Sequence, residues 1–432
     1  MIIRSKIDYG SIVYSSGRKS VLKQLDSIHH AGLRISLGAY RTSPVESLYV
    51  EAGEPPLEIR RKYLTLTYAA RISANYRNPV HKRIFPHHTN PIYEQNPNIM
   101  APLHTRIRRI AATIDFTSTQ PINTNTPPPW TIDIPPCNTE LLKFPKHDTP
   151  NLLILNSFRA ISNKYTEYNH IYTDASKCEE GVGAAVISEH GTDSYKLSNS
   201  CSVYTGELYA LSKAIMKARR TDGNTIIYTD SLSSVEGIQQ LYPRHPILQK
   251  IKSNLAALYQ GGKKVEIVWV PSHTGIPGNE KADEMARNSS TSPVLRIMKK
   301  IPYQDLYKKI KSVTSHLWKV RWQTLTTNKL YKLNPNMEKP NYSGLSRKHQ
   351  TILTRLRIGH TRLTHQHILK KEPPPNCNWC YTTLTVQHLF SCPQYQQYRN
   401  ALLLPSDISI LSNTNFRKVI QYISDIKITN IL

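Results

Sequence analysis

Cysteine, methionine and phenylalanine are scarce, six of each in 432 residues. So few cysteines over such a length build no disulfide framework, and three of them, Cys377, Cys380 and Cys392, crowd together near the end at a spacing that suits a metal. A reducing compartment follows. Long apolar runs are missing too: none reaches the ~18–20 residues of a spanning helix, and the basic start MIIRSKIDYGSIVYSSGRKS lacks a signal-peptide core. These absences predict an intracellular protein, nuclear or cytoplasmic, without a membrane partner. Acids are the third shortage. Thirty Asp and Glu face 56 Lys and Arg, a formal charge of +26, which favours a polyanion such as nucleic acid over an acidic small molecule. Between 293 and 432 the only acids are Asp305, Glu338, Glu372, Asp407 and Asp425.

What is present changes texture three times. Residues 1–116 are expected to be mainly helical, with Leu22, Leu25, Ile28 and Leu33 on one face and Leu57, Arg61, Leu64, Tyr68 and Ile72 on another. Residues 117–163 are rich in Pro, Thr and Asn and sustain neither period, which predicts a linker. From 164 to 292, HIYTD, VGAAVIS, TIIYTD and KVEIVWV have strand character. VYTGELYALSKAIMKARR is helical in pattern with Leu208, Leu211, Ile215 and Ala218 inward, and HPILQKIKSNLAALYQGG ends on Gly261 and Gly262. Alternating strands and helices imply an α/β layer arrangement. Residues 293–432 turn basic again and are expected to be short helices facing phosphates.

Ile-Tyr-Thr-Asp occurs twice, at 171–174 and 227–230, with no third copy and unlike flanks, so it marks no repeat array. Each copy reads as a strand that delivers an Asp to the sheet rim, where α/β sites are built. Asp174 and Asp230 would then lie close enough to repel unless a cation is supplied. Glu207 sits near the start of the helix at 203, at the margin of its buried face, and Asp283 follows the loop PSHTGIPGNEKAD. Four acids from four elements make a ligand set for Mg²⁺ or Mn²⁺. Two such ions, about 3.5–4 Å apart, perform in-line phosphodiester chemistry. His273, in the loop, is placed to relay a proton or help product leave. A single strand-end Asp is more often a turn former or cap, and a lone loop His is no better evidence; the order of contexts carries the weight.

That order, YTDAS (172–176), GELYAL (206–211), YTDS (228–231) and WVPSHTGIPGNEKAD (269–283), resembles the ribonuclease H domain of jockey-type non-LTR retrotransposon polyproteins. The resemblance implies a ribonuclease H-like mixed five-stranded sheet with flanking helices, preceded and followed by mainly helical regions. It implies that Asp174, Glu207, Asp230 and Asp283 hold the metal and that His273 is the loop histidine. Ala175 stands where Gly is more usual. RSKIDYGSIVYSS, IHHAGLRISLGAYRTSPVESLYVEAGEPPLEIRR and RLRIGHTRLTHQHIL resemble segments that flank this domain, the first two the end of a reverse transcriptase, its thumb. No adjacent Asp-Asp pair occurs, which a polymerase palm needs, so the chain is expected to be the C-terminal portion of such a polyprotein and not a polymerase. The expected activity is hydrolysis of the RNA strand of RNA–DNA hybrids, leaving a 3′-hydroxyl. The rivals are a transposase or integrase on the same fold and a catalytically idle nucleic-acid-binding fragment.

Cys377, Cys380, His388 and Cys392 form Cys-x2-Cys-x7-His-x3-Cys, four ligands suited to one closed, structural Zn²⁺; similar clusters close the jockey-type polyproteins. The plain alternative is an apolar thiol cluster around Trp379, Leu389 and Phe390. Cys137, Cys178 and Cys201 have no such companions. Most of the 25 tyrosines belong to cores; Tyr395 and Tyr398, beside Arg399, are the candidates for base stacking. His360, His365 and His367 read as a solvated basic helix face. No motif sets the oligomeric state.

Overall fold

A computed structural model describes residues 2–432 apart from 89, 97–98, 112, 123–135, 296 and 413–415. The proline-rich centre of the expected linker therefore lies outside the described residues. The chain divides into two compact units, one of Met1–Thr65, Asn96–Ala101 and Lys311–Leu432, the other of Leu66–Gln95 and Pro102–Ile310. No helix among the described residues is long and apolar enough to cross a membrane.

The second unit is built on one sheet of β1 (Cys137–Asn138), β2 (Asn169–Lys177), β3 (Val182–Ser188), β4 (Gly191–Leu197), β5 (Thr225–Thr229), β6 (Val265–Trp269) and β7 (Ile297–Met298). Their order is β1-β6-β5-β2-β3-β4-β7. β2, β3 and β4 form an antiparallel meander, and β5, β6 and β1 extend it in parallel from the other edge of β2. The five strands that the resemblance implies are thus joined by two dipeptide strands, one at each edge. Two residues carry no period, which is why neither was visible in the pattern.

Alternation along the strands divides the core into two layers. Ile171, Ile227, Val265 and Ile267 point to one face, where they meet Leu208, Leu211 and Ile215 of the helix Val203–Arg220 and Ile247, Ile251 and Leu255 of the helix Pro246–Gln260. Ile226, Tyr228, Val268 and Val270 point to the other, against Phe158 and Ile161. Those two belong to the helix Asn151–Ser162, so the last part of the expected linker is a core helix of this domain. Its apolar residues recur at 154, 158 and 161, but the helix follows a run of prolines and its pattern is only one stripe deep. The helix Pro277–Thr291 lies so tightly on the sheet that a Cβ at Gly183 would stand 1.9 Å from the Ala286 carbonyl oxygen. Of residues 1–116, expected to belong together, Leu66–Gln95 and the stretch from Pro102 onward add a small helical core in this unit around Ala69, Ile72, Ile84 and Ile107.

The first unit joins the two ends of the chain. The Arg357 guanidinium in the helix Arg347–Ile358 pairs at 3.1 Å with the Glu51 carboxylate in the helix Val45–Ala52, both fully buried. Tyr342 donates to the same carboxylate, and Arg357 Nη1 donates to the Leu411 carbonyl at 2.6 Å. Around this polar knot, Leu353, Leu356, Leu389, Phe390, Val419 and Tyr422 form the largest core of the unit.

Candidate active site and metal centres

The doubled tetrapeptide is a pair of neighbours. β2 and β5 run parallel with Ile171 opposite Ile227, Tyr172 opposite Tyr228 and Thr173 opposite Thr229, and the two tyrosine rings stack with centroids 4.7 Å apart. The register delivers Asp174 and Asp230 side by side just past the last paired residues. The strand-end expectation holds for Asp230, which follows β5; Asp174 does not end its strand, because β2 continues to Lys177 against β3. It marks the rim only on the β5 side.

Glu207 is the fifth residue of the helix Val203–Arg220, whose start is capped by the Ser202 hydroxyl accepting from the Thr205 amide. Gly206 permits the approach: a Cβ there would stand 2.6 Å from Val182 and 2.8 Å from Ala175. The carboxylate is 5% exposed. Its Oε1 accepts from the Ala175 amide at 3.1 Å, while Oε2 is buried without a hydrogen-bond partner. One carboxylate oxygen from each of Asp174, Glu207 and Asp230 lies within 4.8 Å of the others.

Electrostatics report the same crowding. Burial, then the charges of Asp230 and Asp283, push Asp174 up to about 7 against the pull of the Ala175 amide. Burial followed by Asp174 and Asp230 holds Glu207 well above the usual carboxylate range. Asp230 is raised by burial and by Asp283, opposed by His273 and by a hydrogen bond from Asn279.

The fourth acid is not a member of that group of three: its charge bears on Asp174 and Asp230, but its ligand atom clusters with other side chains. Asp283, seventh residue of the helix Pro277–Thr291, pairs with Arg287 and lies 3.6 Å from His273 Nδ1. His273 is 58% exposed on the loop after β6, in a left-handed conformation with φ 52°. Glu280 completes a second cluster: a ligand atom from each of His273, Glu280 and Asp283 lies within 4.8 Å of the others. Glu280 Oε1 also accepts from the Gly275 amide at 3.1 Å, which ties the histidine loop to the helix. Sequence reasoning passed over Glu280, although its spacing of three from Asp283 puts both on one helix face. It missed Asp305 as well, whose Oδ2 accepts from the Thr205 hydroxyl at 2.7 Å, two residues before Glu207. No signal in the sequence connects positions a hundred residues apart.

Residues 166–291 match the RNase H family. The ribonuclease H domain is an enzyme domain, of a family of nucleases acting on RNA–DNA hybrids, and its α/β fold agrees with the sheet described above. The match spans less than a third of the chain and speaks for this domain alone. A comparison with curated proteins gave no match.

In the other unit, ligand atoms of Cys377, Cys380, His388 and Cys392 also lie within 4.8 Å of one another. The sulfurs of Cys377 and Cys380 are 3.9 and 3.6 Å from that of Cys392, all three thiols are free, and His388 Nε2 is buried without a partner. Burial pushes the Cys377 thiol up, but the amides of Cys380 and Trp379 with His388 outweigh it and bring it down to about 6. Leu389 and Phe390 are core residues, yet Trp379 is exposed, so no apolar cluster forms around it. Tyr395 and Tyr398 pack against the same core. The histidine trio is no solvated face either: His365 is buried, its ring stacks on His360 with centroids 3.8 Å apart, and Lys329 Nζ lies 3.0 Å from its Nε2.

Proposed function

We propose that the chain hydrolyses the RNA strand of RNA–DNA hybrids, with Asp174, Glu207, Asp230 and Asp283 holding two Mg²⁺ or Mn²⁺ ions. The observation that carries this is the convergence of two buried carboxylates, Asp174 and Glu207, with the half-buried Asp230, Glu207 Oε2 being left unanswered. Buried like charges are costly without a cation, and an all-oxygen donor set suits these hard ions. When bound, the ions supply the positive charge that activates water and bears the developing charge on the phosphodiester. The side chains do the rest. Asp174 and Asp230 present their oxygens from adjacent strands, Glu207 closes the set from the helix, and the Ala175 amide orients Asp174 and Glu207 together. His273, exposed and within reach of Asp283, accepts or returns a proton at its ring and is displaced easily when product departs. The basic flanks hold the nucleic-acid backbone, which makes binding fall with salt.

The jockey-type retrotransposon setting rests on the resemblance of the flanking segments, and the want of an Asp-Asp pair argues against polymerisation. Cys377, Cys380, His388 and Cys392 hold a structural Zn²⁺; three soft donors and an unpaired imidazole nitrogen support it. Asp230→Asn should abolish hybrid cleavage while hybrid binding and the fold persist, and should also reduce the rise in melting temperature that Mg²⁺ gives the wild type. Cleavage at the wild-type rate would overturn the assignment. Metal analysis of the purified chain, expected to find one zinc that Cys377→Ser loses, tests the second site.

A further inference from the structure

Besides Tyr9, two neighbouring aromatic side chains of the first unit are largely exposed among the described residues. Trp379 is 64% exposed and Tyr381 is 81% exposed, and neither ring has a ring partner or a side-chain hydrogen bond among the described residues. They flank Cys380 on a short hairpin. The Asn376–Thr383 bridge closes it, Cys377 and Thr382 are joined by a 2.8 Å amide-to-carbonyl bond, and the Tyr381 amide donates to the Cys377 carbonyl at 2.9 Å. Leu384 donates to Pro375 at the base, at 2.8 Å. Tyr381 has φ 55°, a left-handed conformation unfavourable for a bulky residue, and it holds the ring outward. A hydrophobic purpose within the fold would have buried these rings; a solubility purpose would have replaced them.

Charge selects the partner. Across Lys311–Leu432 the only acids are Glu338, Glu372, Asp407 and Asp425, against seventeen lysines and arginines. Exposed Lys370 and Lys371 precede Glu372 and the proline run 373–375 that leads into the hairpin, and Lys370 Nζ lies 3.9 Å from the Glu372 carboxylate, which leaves Lys371 as the adjoining cation with no carboxylate against it among the described residues. Flat exposed rings on a pinned loop, with a cation adjoining, meet the two demands of unpaired nucleic acid: faces for bases and charge for phosphates. A duplex hides its base faces and would leave the rings idle. We infer that Trp379 and Tyr381 form a stacking platform for single-stranded nucleic acid, separate from the hybrid-cleaving site and independent of whether that site cleaves. The platform is neither of the tyrosines that lie beside Arg399 in the sequence, since both of those pack inward.

Titration of the full chain with fluorescently labelled oligo-uridine and oligo-thymidine tests this. Trp379→Ala and Tyr381→Ala should each weaken binding about fivefold to a hundredfold, the range for loss of one stacked base. Trp379→Phe should keep most of the affinity, and the melting temperature should not move, because neither ring is buried. Saturating hybrid should still be cleaved at the wild-type rate. Wild-type affinity for both oligonucleotides in the double alanine variant would overturn the inference. So would wild-type binding to phosphatidylcholine vesicles that this variant loses, which would make the rings a lipid contact.

Discussion

Glu207 carries the conflict of the site in one side chain. A buried carboxylate with one oxygen unpaired and two more carboxylates within 4.8 Å lowers the stability of the metal-free domain. Glu207→Gln removes a charge and keeps the shape and the Ala175 contact. Without divalent ions this variant should be more stable than the wild type, by about 1–2 kcal/mol, the range for relieving a functional site of its strain. In Mg²⁺ the order should reverse or close, since the variant gains less from the ion. Melting curves in chelator and in Mg²⁺ decide it; a variant less stable than wild type in chelator would show that the carboxylates are reconciled by something other than a cation. The residue types and their order were readable before the fold, because Asp and Glu at strand ends and helix starts are few in a basic chain. The spacings of Glu280 and Arg287 from Asp283 place all three on one helix face, but the sequence did not show that this face meets the His273 loop.

At the scale of elements, Asp305 ties the first turn of the helix Tyr303–Gln323 to the start of the helix that carries Glu207. The Thr205 hydroxyl donates to Asp305, accepts from Ser202 at 3.1 Å, and lies 3.5 Å from His245 Nε2. Burial drives His245 down to about 4, so this ring is neutral and adds no charge to the knot. Asp305→Ala leaves the buried Thr205 hydroxyl without its acceptor and should cost about 1.5–3 kcal/mol, as for a hydrogen bond to a charged group. Hybrid cleavage should fall with it, through the position of Glu207, and Asp305→Asn, which can still accept, should recover much of both. Thermal melting and cleavage rates of the two variants check this. Four of the five longer strands and the helices at 203 and 246 were readable from their apolar patterns, whereas β4, Gly191–Leu197, entered only through the five-stranded sheet that the resemblance implies. The dipeptide strands and the helix Asn151–Ser162 were not readable: the first are too short to alternate, and the second hides behind proline-rich chain.

The first unit shows what sequence pattern cannot supply at the scale of the molecule. Composition described the two ends of the chain as similar, basic and helical, and gave no hint that residues 1–65 and 311–432 fold together, because a contact such as Glu51 to Arg357 spans 306 positions. Replacing Arg357 by Met strands a buried carboxylate that burial already raises, and should cost about 3–5 kcal/mol, whereas a matched Glu51→Leu/Arg357→Met pair should cost far less. Urea unfolding of the two variants separates a charge left alone from a cavity.

Histidines in the same unit set its response to acid. Burial, followed by neighbouring cations, brings His365 down to about 4 and, with the His365 charge and Lys329, His360 to about 3; both are therefore neutral in the fold at pH values where a free imidazole, near 6.5, takes a proton. The groups facing the stacked pair are Thr42, Thr364, Lys329 and His367, of which the two bases can only repel a new charge. Between about pH 6.5 and 4 the unfolded chain binds protons that the folded unit refuses, so stability is fully present above that window and is lost as pH falls through it. The melting temperature should drop by several degrees, on the order expected for 1–2 kcal/mol, between pH 7 and 5. A His360→Asn/His365→Gln variant keeps polar partners but does not titrate, and its melting temperature should fall less over the same interval. Parallel pH slopes for wild type and variant would assign the acid sensitivity to other groups.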